Sequence, residues 1–242
     1  MASEVKTNKI SPATGTDVTL GDTSDTFTIP ASATLDVNGT IDITGATQTG
    51  FPSSGFTRLH IPASGTYTVP TDVTKIVVEC QGAGGSGSSL ATYYTGGGGG
   101  AFVQGFLTVV AGHTMTVAIG AGGVAISGGA GAGNVGGATT FTNLSGHAGF
   151  TAFSAGGGAG GISSGAGPVA GGVASGGDFR LPGGKTLIRQ GTGASFWSVG
   201  ELIDGGEDAT GFGYGKGGGW GIPPSGASGA GSNGLCKIWE YK

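Results

Sequence analysis

Charge is scarce in this sequence: Asp, Glu, Lys and Arg together supply 10% of its 242 residues. With so little charge and a mean hydropathy of +0.15, the chain is not a disordered acidic or basic tail, since such tails stay expanded through net charge. Ten Lys and Arg, scattered along a chain of net charge -4, make no basic patch, so nucleic acid is not an expected partner. Two cysteines, Cys80 and Cys236, are too few for a disulfide framework. Each lies in a short β-like run on the alternation phase of its apolar neighbours, Ile76 and Val78 in one case and Ile238 in the other. Two buried thiols are expected, with a bridge between the first long strand and the last as the alternative. No basic start followed by an apolar stretch opens the sequence, and no apolar run is long enough to span a bilayer. The expectation is a protein made in a cytoplasm and not exported by the usual route. No helix of normal length is visible.

Glycine is what fills the gap: 58 of the residues are glycine. Each glycine ordered on folding costs roughly 0.5–1 kcal/mol more than alanine and brings no side chain to bury. Two remedies are open: dense backbone–backbone hydrogen bonding that only bare glycine permits, and burial against neighbouring subunits. Both are expected here.

The glycines are concentrated in tracts at 82–87, 96–100, 120–137, 156–177 and 211–231, without a strict period of three, which excludes collagen. Their other residues include Ala, Val and Ile, where a solvated linker would carry Ser, Glu and Lys. An extended polyproline-II backbone suits them, because its polar groups point outward toward neighbours of the same kind. Several tracts side by side would form a layered glycine sandwich.

Strands separate the tracts. Apolar residues two apart mark Phe56–Ile61, Thr66–Val69 and Lys75–Cys80, then Ala101–Val110 and Met115–Ile119, and finally Leu235–Tyr241. The fold class is therefore all-β, with a glycine-rich, β-sandwich-like domain over 55–242, and with 75–81 beside 235–241 in one sheet. Residues 1–54 differ: they are rich in Thr, Asp and Ser. Short alternating pieces recur there (Val18–Leu20, Phe27–Ile29, Leu35–Val37, Ile41–Ile43), split by turn residues. Such strands are too short to stand alone, so a trimeric β stalk is expected, with Thr47–Gly55 as a linker.

Several catalytic patterns fail on their own physics. Gly82-x-Gly84-x-x-Gly87 follows a strand, as a dinucleotide fingerprint does, but no helix start and no acidic residue about 20 positions on accompany it. Gly183-Gly184-Lys185-Thr186 imitates the end of a phosphate loop, yet Phe179 stands where the first glycine belongs. Gly161-Ile-Ser163-Ser-Gly165 has nucleophile-elbow spacing without the strand-turn-helix context. His60, His113 and His147 are isolated from other metal ligands. Asp204, Glu207 and Asp208 read as a solvated turn rather than a calcium loop. No enzyme, metal or cofactor is expected, and no carboxylate pair stands out for a depolymerase. The aromatics in and beside the glycine loops carry more: Tyr93, Tyr94, Phe196, Trp197, Phe212, Tyr214 and Trp220. Flat rings with a polar edge suit sugars and protein partners, so these seven are the candidate ligand-binding residues.

Lys75-Ile-Val-Val-Glu-Cys80 running into Gly82-Ala-Gly-Gly-Ser-Gly87 resembles the start of the glycine-rich domain of bacteriophage tail fibres and adhesins. So do Gly226-Ala-Ser-Gly-Ala-Gly231 with Leu235–Tyr241, Tyr67–Pro70 with Thr74-Lys75, and Thr116-Val-Ala-Ile-Gly120-Ala-Gly-Gly123. The resemblance covers 56–242, while 1–54 look like repeats in marine phage fibres. It implies a homotrimeric virion protein, exposed on the particle and joined to other virion proteins through 1–54. Loops at 88–95, 178–204 and 208–224 would touch a host glycan or outer-membrane protein. The alternative it leaves open is a capsid decoration or head-fibre protein.

Overall fold

The computed structural model describes residues 56–61, 63–89, 95–127, 130–145, 149–150, 152–163, 167–187, 191–198, 213–221 and 227–241, with the backbone alone for 56–61 and 144–145. The expected stalk at 1–54 lies outside the described residues. The described residues all belong to one unit, Pro52–Lys242.

Among the described residues the protein is all-β. Its strands are β1 Phe56–Ile61, β2 Gly65–Thr68, β3 Lys75–Gln81, β4 Phe102–Thr108, β5 Thr114–Ala118, β6 Thr139–Ser145, β7 Ala152–Ala155, β8 Ala174–Ser175, β9 Phe179–Leu181 and β10 Leu235–Tyr241. They form two antiparallel sheets, ordered β1-β10-β3-β4-β9 and β2-β5-β6-β7-β8. The closing strand β10 lies beside β3, with Cys236 opposite Cys80 and Ile238 opposite Val78, as the sequence leads one to expect. The core fills the space between the sheets. Ile76, Val78, Cys80, Val103 and Ile238 come from the first, and Tyr67, Met115, Val117, Phe141 and Phe153 from the second. Alternation drives this arrangement: in β5, Met115 and Val117 are buried while their neighbours are not, so the apolar phase of each strand faces its partner sheet.

Beyond the strand ends, the glycine tracts pack into a hydrogen-bonded lattice. Residues 82–89 run through its middle, and every one of them is buried. Their amides point in three directions in turn. Ala83, Ser86 and Ser89 donate to Gly137, Asn134 and Gly131; Gly84 and Gly87 to Ser232 and Gly229; Gly85 and Ser88 to Gly98 and Thr95. Carbonyls of the same tract accept from Gly158 and Gly161, from Gly218 and Gly221, and from Gly123. The bonding direction returns every third residue. Six surrounding segments thus satisfy the polar groups of one buried tract, which is what lets it stay buried without side chains.

Gln81 joins the sheet to the lattice. It is fully buried, and its Nε2 donates to Gly100 O at 2.9 Å and Ala101 O at 2.8 Å. These are the carbonyls where the 96–101 tract turns into β4.

The two cysteines are free, buried and directly cross-strand, and the Cys80 thiol donates to Cys236 Sγ at 3.8 Å. That contact first, then burial and the nearby Glu79 charge, raises the Cys80 thiol well above its ordinary range. Tyr67 is raised too, by burial first and then by the Glu240 carboxylate, to which its hydroxyl donates at 3.1 Å. Both groups hold a proton in the folded chain that the unfolded chain releases near pH 8.5 and pH 10 respectively. Their contribution is complete below those values and is lost as pH rises toward the folded ones, so stability should fall in alkali. The urea midpoint is expected to be flat to about pH 8 and to drop steadily from pH 9 to 11. Tyr67→Phe should flatten the upper part of that decline. A wild-type midpoint unchanged to pH 11 would count against the buried-thiol and tyrosine–carboxylate geometry.

Candidate functional site

The face of the first sheet that points away from the core carries the unusual side chains. Register sets them in rows across β10, β3 and β4: Tyr241, Lys75 and Thr108; then Trp239, Val77 and Phe106; then Lys237, Glu79 and Gln104; then Leu235, Gln81 and Phe102. The last row is covered, since Leu235, Gln81 and Phe102 are all buried. The first two rows are exposed in part: Phe106 is 62% exposed and Tyr241 41%, while Val77 between Trp239 and Phe106 is buried. Two adjoining hollows of about 670 and 270 Å³ lie along this part-exposed half, sharing Val77, Phe106 and Tyr241.

Phe102, at one end of the last row, is covered by a tight turn. Ser195 and Ser198 exchange backbone bonds at 3.2 and 3.3 Å, their hydroxyls lie 2.8 Å apart, and Ser195 Oγ also donates to the Tyr214 carbonyl. Phe196 and Trp197 form its tip. Phe196 stacks on Phe102 with ring centres 4.1 Å apart, and Trp197 lies 3.3 Å from Lys237 Nζ as a cation–π partner. Each ring keeps part of its surface in solvent.

On the other side, Gly176 and Gly177 turn the chain with φ of 70° and 66°, angles that favour glycine. The turn delivers Asp178, whose amide donates to Gln104 O and whose Oδ2 accepts from Phe106 N at 2.8 Å. That clamp fixes β4 where Phe106 projects. In the third row Gln104 Nε2 donates to Glu79 Oε1 at 3.0 Å, while Glu79 Oε2 is shielded from solvent and has no donor among the described residues.

The seven expected aromatics therefore divide. Phe196 and Trp197 come together beside this face, and Tyr214 is exposed next to the Ser195 turn. Trp220 is 4% exposed, enclosed in the glycine lattice where Gly219 and Gly221 bond to the 229 and 88 segments, so its ring is not presented to a ligand. Tyr93, Tyr94 and Phe212 lie outside the described residues. Sequence reasoning passed over Phe106, Trp239 and Tyr241. The available signal was their phase: Trp239 and Tyr241 alternate with the buried Cys236 and Ile238, which sets two aromatics on the non-core face of one strand.

The profile of the family described as glycine-rich domain matches residues 62–238. No curated protein matches the chain.

Proposed function

This chain belongs to the glycine-rich domain family, and from that premise we propose that it is a binding module, the adhesin or tail-fibre part of a bacteriophage particle that attaches to a host surface. The observation that carries the reading is the Phe196–Trp197 turn, two part-exposed rings pinned by Ser195 and Ser198 at the edge of a hydrogen-bonded lattice. Recognition rings held on a stiff frame lose little conformational freedom on binding, which is the general route to affinity from a small surface. The resemblance of the sequence to tail-fibre domains supports the same reading. So do the short alternating apolar pieces in the sequence of residues 1–54, which suit a homotrimeric stalk joined to other virion proteins.

The test uses the full chain, labelled, on intact host cells. Phe196→Ala/Trp197→Ala should lower cell binding at least tenfold (about 1.4 kcal/mol) in a chain that stays folded under the assay conditions, with a fall in the urea midpoint from the uncovered Phe102. Wild-type binding that this pair leaves intact would remove the turn from the recognition surface. A monomeric mass for the full chain would refute the trimer.

A further inference from the structure

We propose that Cys80 and Cys236 are a latent disulfide, a latch that ties the strand entering the glycine lattice to the strand leaving it in oxidising surroundings. The latch stands apart from the adhesin reading and does not depend on it. The two residues lie directly opposite each other on β3 and β10, and the Cys80 thiol meets Cys236 Sγ at 3.8 Å. Both are fully buried in the core between the sheets. Directly opposed antiparallel partners have Cα atoms about 4.5 or 5.5 Å apart, and a disulfide accepts roughly 4.4–6.8 Å. Turning the two side chains therefore makes the bond without moving either strand. No atom is added and two hydrogens leave, so the packed core is not overfilled. Neither sulfur reaches solvent, so neither is placed to bond to a second copy of the chain.

A small disulfide such as oxidised glutathione supplies the oxidant, and the step balances in two exchanges. One cysteine thiolate attacks a glutathione sulfur, giving a mixed disulfide and one reduced glutathione. The other thiolate then attacks the protein sulfur of that mixed disulfide and releases the second. Two electrons and two protons pass from the cysteines to the glutathione pair. The adjoining thiol and burial hold Cys80 protonated, and only the thiolate reacts. Exchange therefore takes place as the chain folds or when β10 opens, and the finished bridge is shielded from reductants in the same way. The cysteines are 156 positions apart and enclose every glycine tract, and a long closed loop is the kind that most restricts an unfolded chain.

The test refolds the full chain from urea in glutathione buffers of graded oxidised-to-reduced ratio, with the same buffers in concentrated urea as reference. Mass after alkylation of free thiols reads the fraction bridged. The equilibrium constant for bridging should be at least about tenfold higher in the folded chain than in urea. Linkage then requires that the bridge stabilise the fold by the same factor, so the urea midpoint of the bridged chain should exceed that of the reduced chain by at least about 0.5 M. Cys236→Ala should show one midpoint in oxidising and reducing buffer alike. Two thiols that serve only as small core side chains would show no preference for the bridge on folding. The proposal is overturned if the constant is equal or lower in the folded chain, or if the bridged midpoint is at or below the reduced one. It is also overturned if the bond forms between chains, or if Cys236→Ala gains stability in oxidising buffer as the wild type does.

Discussion

Gly87→Ala is expected to prevent folding, with a loss above about 4 kcal/mol, while Gly65→Ala changes stability by less than about 1 kcal/mol. The contrast is geometric. A Cβ at Gly87 would sit 1.8 Å from the Gly219 carbonyl oxygen, 2.4 Å from its carbon and 2.8 Å from Trp220 N, all of them backbone. That carbonyl is already fixed, since it accepts from Gly229 N at 2.7 Å, and Gly229 O in turn accepts from Gly87 N at 3.1 Å. Moving any one of the three segments breaks bonds in the other two. Gly65, on β2, has open space where its Cβ would go, so alanine there only narrows the unfolded ensemble. Gly112 is the intermediate case: it too has open space, but its φ of 80° is left-handed. Gly112→Ala should cost about 1–2 kcal/mol. Urea midpoints, or soluble yield where the protein does not fold, check the order. If Gly87→Ala unfolds at the midpoint of Gly65→Ala, the lattice does not constrain the fold as described.

The same crowding explains what the sequence hid. A period of three is present, but in the directions of hydrogen bonds, as Ala83, Ser86 and Ser89 show by donating to Gly137, Asn134 and Gly131. Collagen prints its period in the sequence because one residue in three faces the crowded axis. Here the 82–89 tract prints its period only faintly: Ala83, Ser86 and Ser89 carry small side chains, the other positions are glycine except for Ser88, and enclosure on all sides keeps the alphabet to Gly, Ala and Ser. Strands with clean alternation were legible, β3, β5 and β10 among them. Those with little apolar content were not. In Thr139–Ser145 the one core ring is Phe141, flanked by threonines, and β7 is the four residues Ala152–Ala155. Their pairing comes from tertiary neighbours, which is how strand preference usually works. Of the site, Phe196 and Trp197 were legible as aromatics in a loop. Trp220 looked alike in sequence and is buried, because lattice position rather than residue type decides exposure.

Gly105 supplies the second large effect, and here the obstacle is a side chain. It lies on β4 opposite Val78, and a Cβ built on it would come within 2.2 Å of Phe153 Cζ, 2.5 Å of Cε2 and 2.8 Å of Cε1. The Phe153 ring cannot slide far: it stacks against Phe141 and meets Phe150 edge-on at 4.8 Å. Gly105→Val should therefore destabilise by about 3 kcal/mol through overpacking, and Phe153→Ala by about 4 kcal/mol through the cavity it leaves. Together they should not add. The valine would occupy part of the space the ring vacates, so the double variant should lie near the Phe153→Ala value, a coupling of about 2–3 kcal/mol. Urea unfolding of the four proteins measures it, and strict additivity would show that Gly105 does not make room for the ring. No such partner exists for Gly87, because the atoms nearest its Cβ position belong to the backbone of residues 219 and 220. Gly105 in the sheet is held by a side chain and can be exchanged with it, whereas Gly87 in the lattice is held by the chain itself.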